Sequence, residues 1–266
     1  MIRVGIGGWT FEPWRGTFFP KDLPHAQELN YASRNLTALE INATFYRTQK
    51  PSTFRKWAAE TPDDFVFTVK APQYATNRKV LGEAGPMIEV FLKSGLTELG
   101  TKLGPLFWQL APTKKFDRED YATFLRLLPR ELKGAPLRHA VEARHPSFAT
   151  PEAVALARDH GVAIVIAESE KHPLIPDLTA DFSYLRLQKT SEDVPTGYPP
   201  AQIKAWAKRL KSFASGDVPA DLPVVGEGAA PKKSAPKAER DVFAFVISGA
   251  KVRAPIAAMA LIKELK

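Results

Sequence analysis

The chain contains no cysteine. That excludes a disulfide framework, a thiolate nucleophile and any zinc site built on cysteine. No uninterrupted apolar run reaches the roughly 18 residues that a membrane span needs. Residues 1–9, MIRVGIGGW, enter a strand pattern at once and lack the three-part layout of a secretory signal. The expectation is a reducing, cytoplasmic setting with no membrane partner. The glycines at Gly7 and Gly8 make no dinucleotide fingerprint, because Trp9 and Pro13 follow where a helix would have to open.

The sequence has 44% hydrophobic and 25% charged residues, which is ordinary for a chain that buries a sizeable core. A formal net charge of +8 permits an anionic ligand without demanding one. Eight short apolar, β-branched or aromatic runs recur, at 2–6, 38–41, 65–69, 106–110, 137–141, 162–167, 182–187 and 242–247. Helical patterns fill nearly every gap between them. Lys50-Pro51-Ser52 opens one. Thr150-Pro151-Glu152 opens another, with Thr150 as N-cap, Pro151 at the first helical position and Gly161 as the stop. Pro199-Pro200 precedes a third, and Pro255 precedes the last. Eight strand-then-helix units predict an α/β fold, a single (β/α)8 TIM-like barrel over residues 1–266.

One segment breaks the pattern. Residues 216–240, GDVPADLPVVGEGAAPKKSAPKAER, are rich in Pro, Ala and Lys and follow no structural period. They read as a flexible insertion before the last strand, emerging at the amino-terminal face of the barrel. Its acids and bases cancel, so the basic excess lies on the remainder of the chain. A nucleic-acid tether built on Lys232, Lys233 and Lys237 is the weaker reading of it.

The polar residues that end the apolar runs are the informative feature. The fifth run continues as HAVEARHPSF, residues 139–148, where alternation puts Glu142 and Arg144 on one face and Pro146 ends the pairing. Other runs end in Glu40 and Asn42, in Lys70, in Gln109, in Glu168, and in Arg186 with Gln188. A charge in an apolar strand costs several kcal/mol unless it is paired. Such groups at the same end of six strands predict one shared polar cluster at the barrel mouth. Trp9, Trp14 and Tyr46 are placed to line that mouth with flat rings. Residues 248–255, SGAKVRAP, offer small residues, Lys251 and Arg253 before the last helix, the chemistry of a phosphate cup.

The stretches GIGGWTFEPWRGTFFP (5–20), LEINATFYR (39–47), FVFTVKAPQYATN (65–77), KLGPLFWQLAP (102–112), EARHPSF (142–148) and YLRLQ (184–188) resemble the YecE-like barrel family, a domain of unknown function numbered seventy-two. The resemblance implies a TIM-like barrel and no established activity. Glu40, Asn42, Lys70, Gln109, Glu142, Arg144, His145 and Arg186 match its pattern. Asn77 stands where the family usually has His, and Phe148 where it has Trp. Gln188-Lys189 replaces a usual His-Gly, and the last strand runs Phe245-Val246-Ile247-Ser248-Gly249 where the family usually ends Phe-Asn-Asn, so this chain reads as a branch with an altered rim.

The expected function is a metal-independent enzyme, with no cofactor, acting on a small anionic ligand such as a phosphorylated sugar or a nucleotide-like molecule. Glu40, Lys70, Glu142 and His145 are the candidate catalytic groups, with Lys70 able to serve as a Schiff-base amine. Trp9, Trp14, Asn42, Tyr46, Gln109, Arg144, Arg186 and Lys251 are the candidate binding groups. One alternative is a divalent-metal sugar isomerase or nuclease ligated by Glu40, Glu142, Glu168 and His145. The other is a non-catalytic barrel that binds a nucleic acid or a protein, which the sequence permits but does not favour.

Overall fold

A computed structural model describes residues 1–226 and 239–266. The strands of its main sheet are β1 (Ile2–Gly7), β2 (Ala38–Ile41), β3 (Val66–Lys70), β4 (Leu103–Gln109), β5 (His139–Glu142), β6 (Ala163–Ile164), β7 (Ile166–Glu168), β8 (Phe182–Leu187) and β9 (Asp241–Val246). All pair in parallel, in the order β6-β5-β4-β3-β2-β1-β9-β8-β7. The two ends of this sheet, β6 and β7, are separated in sequence by Val165 alone, whose N–H donates to the carbonyl of Val141 at 2.9 Å. They are two halves of one stave, so the sheet curls into a nearly closed barrel of TIM type.

Helices cover its outer surface, and their ends follow the local chemistry. The helix Pro151–Asp159 starts where the Thr150 hydroxyl accepts the Ala153 N–H at 3.3 Å, and Gly161 lies beyond its end at φ +61°. Pro51–Ala59, Pro200–Ala214 and Ala254–Leu265 lie where the proline signals place them. The segment 169–181 carries no helix, and it returns directly to the amino end of the barrel. There the Thr179 hydroxyl donates to the Val162 carbonyl (2.7 Å) and accepts the Ile164 N–H (2.9 Å).

β4 begins three residues before the sequence pattern predicts. Gly104-Pro105 reads as a break, yet the strand runs through it. The pairing Phe67 with Leu103 and Val69 with Leu106 sets three residues of β4 against two of β3, a bulge that absorbs the proline. The Asp177 carboxylate, in the segment that returns to the amino end of the barrel, accepts the Val225 and Gly226 N–H groups at 3.0 and 2.7 Å. Residues 227–238, including Lys232, Lys233 and Lys237, lie outside the described residues.

Alternation along each strand divides the core in two. Outward residues such as Val4, Ile6, Leu39, Ile41, Val69 and Trp108 pack under the helices. Inward ones, among them Ala38, Phe107, Ala140, Val165, Tyr184 and Phe245, fill the barrel as a separate apolar plug. The plug makes the interior a packed core, so a ligand has room only above it.

Candidate active site at the barrel mouth

The parity that builds the plug also builds the site. Two residues beyond Ala38 on the inward face is Glu40; beyond Phe107 is Gln109; beyond Ala140 are Glu142 and Arg144; beyond Tyr184 is Arg186. Thr68 and Lys70 share the inward face of β3. The carboxylates lie lowest, since Glu40 and Glu142 are fully buried. Arg186 bridges them, with Nη1 donating to Glu142 Oε1 at 2.8 Å and Nη2 to Glu40 Oε1 at 3.3 Å. Arg144 Nε donates to the other Glu142 oxygen at 2.7 Å. The Tyr184 hydroxyl donates to Glu40 Oε2 at 2.7 Å and lies 3.0 Å from Thr68 Oγ1. The guanidinium of Arg186 lies over the Phe107 ring, 4.7 Å from its centroid.

These contacts fix the protonation states. Burial pushes the Glu142 carboxyl up, but Arg186 and Arg144 outweigh it and hold the group near 2. Burial likewise opposes the charge on Arg186, and the two carboxylates more than compensate. Tyr184 is driven well above its ordinary range by burial and by the adjacent Glu40, so it stays a neutral donor. Lys70 differs from all of these. It is 8% exposed and has neither a hydrogen-bond acceptor nor an ion-pair partner among the described residues. Its amine lies 3.8 Å from the centroid of Phe45. Burial, aided by Arg186, lowers its pKa to about 8.

Above this floor opens a cavity of about 590 Å³. Lys70, Gln109, Arg144 and Arg186 line its base, and Asn42 and Lys251 its sides. Asn42 comes close because β1 is glycine here, and a Cβ on Gly7 would fall 2.7 Å from the Asn42 amide nitrogen. Four cations thus face the cavity against the two carboxylates beneath it, and both carboxylates are already held by arginine.

The structure brings most of the sequence candidates together here, but not in equal roles. Trp9 lines the cavity and packs edge-on against Trp57, with ring centroids 5.1 Å apart. Trp14 is buried, and its indole N–H donates to the Lys251 carbonyl at 2.9 Å, so it locks the first loop to the last. Tyr46 stands at the rim, 72% exposed. Lys251 places its amine 4.2 Å from the Phe11 centroid, and burial lowers its pKa. Arg253 turns away from the cup and donates to the Glu192 carbonyl at 3.1 Å.

Two strand-end residues do not join the cluster. His145 has the opposite parity to Arg144, and its Nδ1 accepts the Ser147 N–H at 3.2 Å, capping the 3-10 turn Pro146–Phe148. Glu168 shares the outward parity of Ile164 and Ile166. It receives the Trp206 indole N–H at 3.1 Å and the Tyr198 hydroxyl, and burial raises its pKa. Glu40 and Glu142 therefore share a site with neither Glu168 nor His145. No three His, Asp or Glu side chains gather as a metal cluster among the described residues. Thr68 and Tyr184, which support Glu40, and Phe45, which covers Lys70, are missed by the sequence reading. Inward parity beside a charged strand end is the signal that marks Thr68 and Tyr184.

A family model described as "Protein of unknown function DUF72" matches residues 3–266. The chain belongs to the DUF72 family. Among DUF72 structures, one from Thermotoga maritima MSB8 superposes with a TM-score of 0.74 at 23% identity, covering 100% of this chain and 99% of that one. Another, from Enterococcus faecalis V583, gives a TM-score of 0.71 at 15% identity, covering 100% and 95%. These likenesses support the barrel and nothing finer. A curated relative, the UPF0759 protein YunF of Bacillus subtilis (strain 168), is 28% identical over 157 residues, 57% of this chain. That match spans about half of the relative's length, 53%. No helix among the described residues is long and apolar enough to cross a membrane.

Proposed function

We propose that the barrel mouth is the active site of a metal-independent enzyme acting on a small anionic polar molecule. The observation that carries this reading is the pairing pattern. Glu40 and Glu142 are neutralised from within the protein, while the Lys70 amine on the cavity wall has no hydrogen-bond or ion-pair partner among the described residues. Positive charge gathered at the base of a concavity is costly, and an anionic ligand relieves that cost. In this reading Arg144 and Lys251 receive the anion, and Arg186 with its two carboxylates holds the floor rigid. Lys70 is the group that reacts, because Glu142, held near 2, stays ionised at neutral pH and is a poor proton carrier.

A cavity of about 590 Å³ suits a metabolite better than a polymer, which disfavours nucleic acid as the ligand. The divided placement of Glu40, Glu142, Glu168 and His145 disfavours the metal-dependent alternative. Titration calorimetry with inorganic phosphate and with a sugar phosphate tests the reading. Binding that weakens at least tenfold in Arg144→Ala supports it; equal binding by the variant refutes it.

A further inference from the structure

Resting on that reading, we infer that Lys70 is a Schiff-base nucleophile, and that the mouth takes a small aldehyde or ketone carrying a carboxylate or phosphate. The geometry provides the parts. Lys70 ends β3 inside the barrel, and its backbone is held by pairing with Phe107 of β4. The Thr44 hydroxyl ties the Lys70 carbonyl further, donating to it at 2.7 Å. Its side chain is held between Phe45 and Phe107, whose centroids lie 3.8 and 5.8 Å from Nζ. The amine faces the cavity with no carboxylate within ion-pair distance among the described residues; Glu40 and Glu142 favour its charged form from further off, and burial with Arg186 outweighs them. Arg144 and Arg186 line the same base, close to the amine that an anionic carbonyl compound would approach.

The chemistry balances without an added cofactor. The free Lys70 amine attacks the carbonyl carbon, a C–N bond forms, and the carbonyl pair moves to oxygen. That oxygen takes the proton released from nitrogen, which gives a carbinolamine. Its hydroxyl then leaves as water, with a proton from solvent in the open mouth, while the nitrogen lone pair closes the C=N bond. The positive imine becomes an electron sink for the substrate beside it. Burial favours the uncharged amine that the first step needs, in line with a pKa near 8.

The test uses the unaltered protein with glyoxylate and sodium cyanoborohydride at pH 7, which converts an imine into a stable carboxymethyl-lysine. Peptide mapping by mass spectrometry compares Lys70 with the exposed Lys204 and Lys208. An amine titrating near 8 holds roughly 200 times more free base at pH 7 than one at the ordinary 10.4. Lower basicity weakens the nucleophile, and discounting as thiols behave leaves an advantage of about tenfold or more. Labelling of Lys70 at least tenfold faster than of Lys204, and suppressed by inorganic phosphate, is the expected result. Phosphate binding by calorimetry together with no preference for Lys70 overturns the inference and leaves the anion-binding reading standing. Failure of both phosphate and glyoxylate to bind overturns the two together.

Discussion

Replacing Arg186 with Met leaves the mouth its shape but removes the cation shared by Glu40 and Glu142. Both carboxylates are fully buried, and Arg186 is the residue that touches both. Taking one member from a buried ion pair costs about 3–5 kcal/mol, because the remaining charge stays without water. A second route gives a similar size. A Glu142 carboxyl drawn from 4.5 to about 2 contributes about 3 kcal/mol. With the folded pKa depressed, that stability is full above about pH 4.5 and is lost as pH falls toward 2. For a chain of this length, a loss of 3–5 kcal/mol lowers the melting temperature by about 6–10 °C at pH 7. Thermal unfolding of Arg186→Met across pH measures it. The deficit shrinks on acidification, because the wild type loses the contribution of Glu142 as pH falls toward 2. Adding Glu142→Gln recovers about 1–3 kcal/mol relative to the sum of the single changes. A loss below about 1 kcal/mol, or strict additivity, refutes the account of the floor.

Lys70→Met raises stability at pH 7, since an amine drawn from 10.5 to about 8 carries a penalty of about 3 kcal/mol. The unfolded chain keeps that proton between pH 8 and 10.5, so the wild type gains stability as pH climbs through this window. The advantage of the variant narrows over the same window, and a variant less stable by more than about 1 kcal/mol at pH 7 contradicts the burial argument. Tyr184→Phe removes the hydroxyl held between Glu40 and Thr68 and costs about 1.5–3 kcal/mol in chemical denaturation. A cost near zero there means that Glu40 does not depend on the hydroxyl.

Much of this site is written in strand parity. The spacing of Glu142 and Arg144 states that they share a face, and the barrel interior is where that face looks. The same rule, applied one residue on, turns His145 away, and applied to Ile164, Ile166 and Glu168 it turns Glu168 toward the Pro200–Ala214 helix. A polar strand end therefore marks the mouth only when its parity matches the inward plug. What the sequence does not contain is the pairing across the barrel. Glu40 and Arg186 are 146 residues apart, and closure of the sheet is what brings them to 3.3 Å. The isolation of Lys70 is illegible for the same reason. It follows from Arg186 and Arg144 taking the carboxylates first, which only the folded geometry decides. The β4 start was hidden by Gly104-Pro105, because a bulge tolerates a proline that a regular central strand does not.

The most direct test of the central claim is a crystal structure of the protein grown with inorganic phosphate at low ionic strength. The account predicts a tetrahedral anion in the cavity, within hydrogen-bond distance of the Arg144 guanidinium and beside the Lys70 amine, with Arg186 still bridging Glu40 and Glu142. Phosphate bound elsewhere on the surface, with Lys70 instead paired to Glu40 or Glu142, contradicts it.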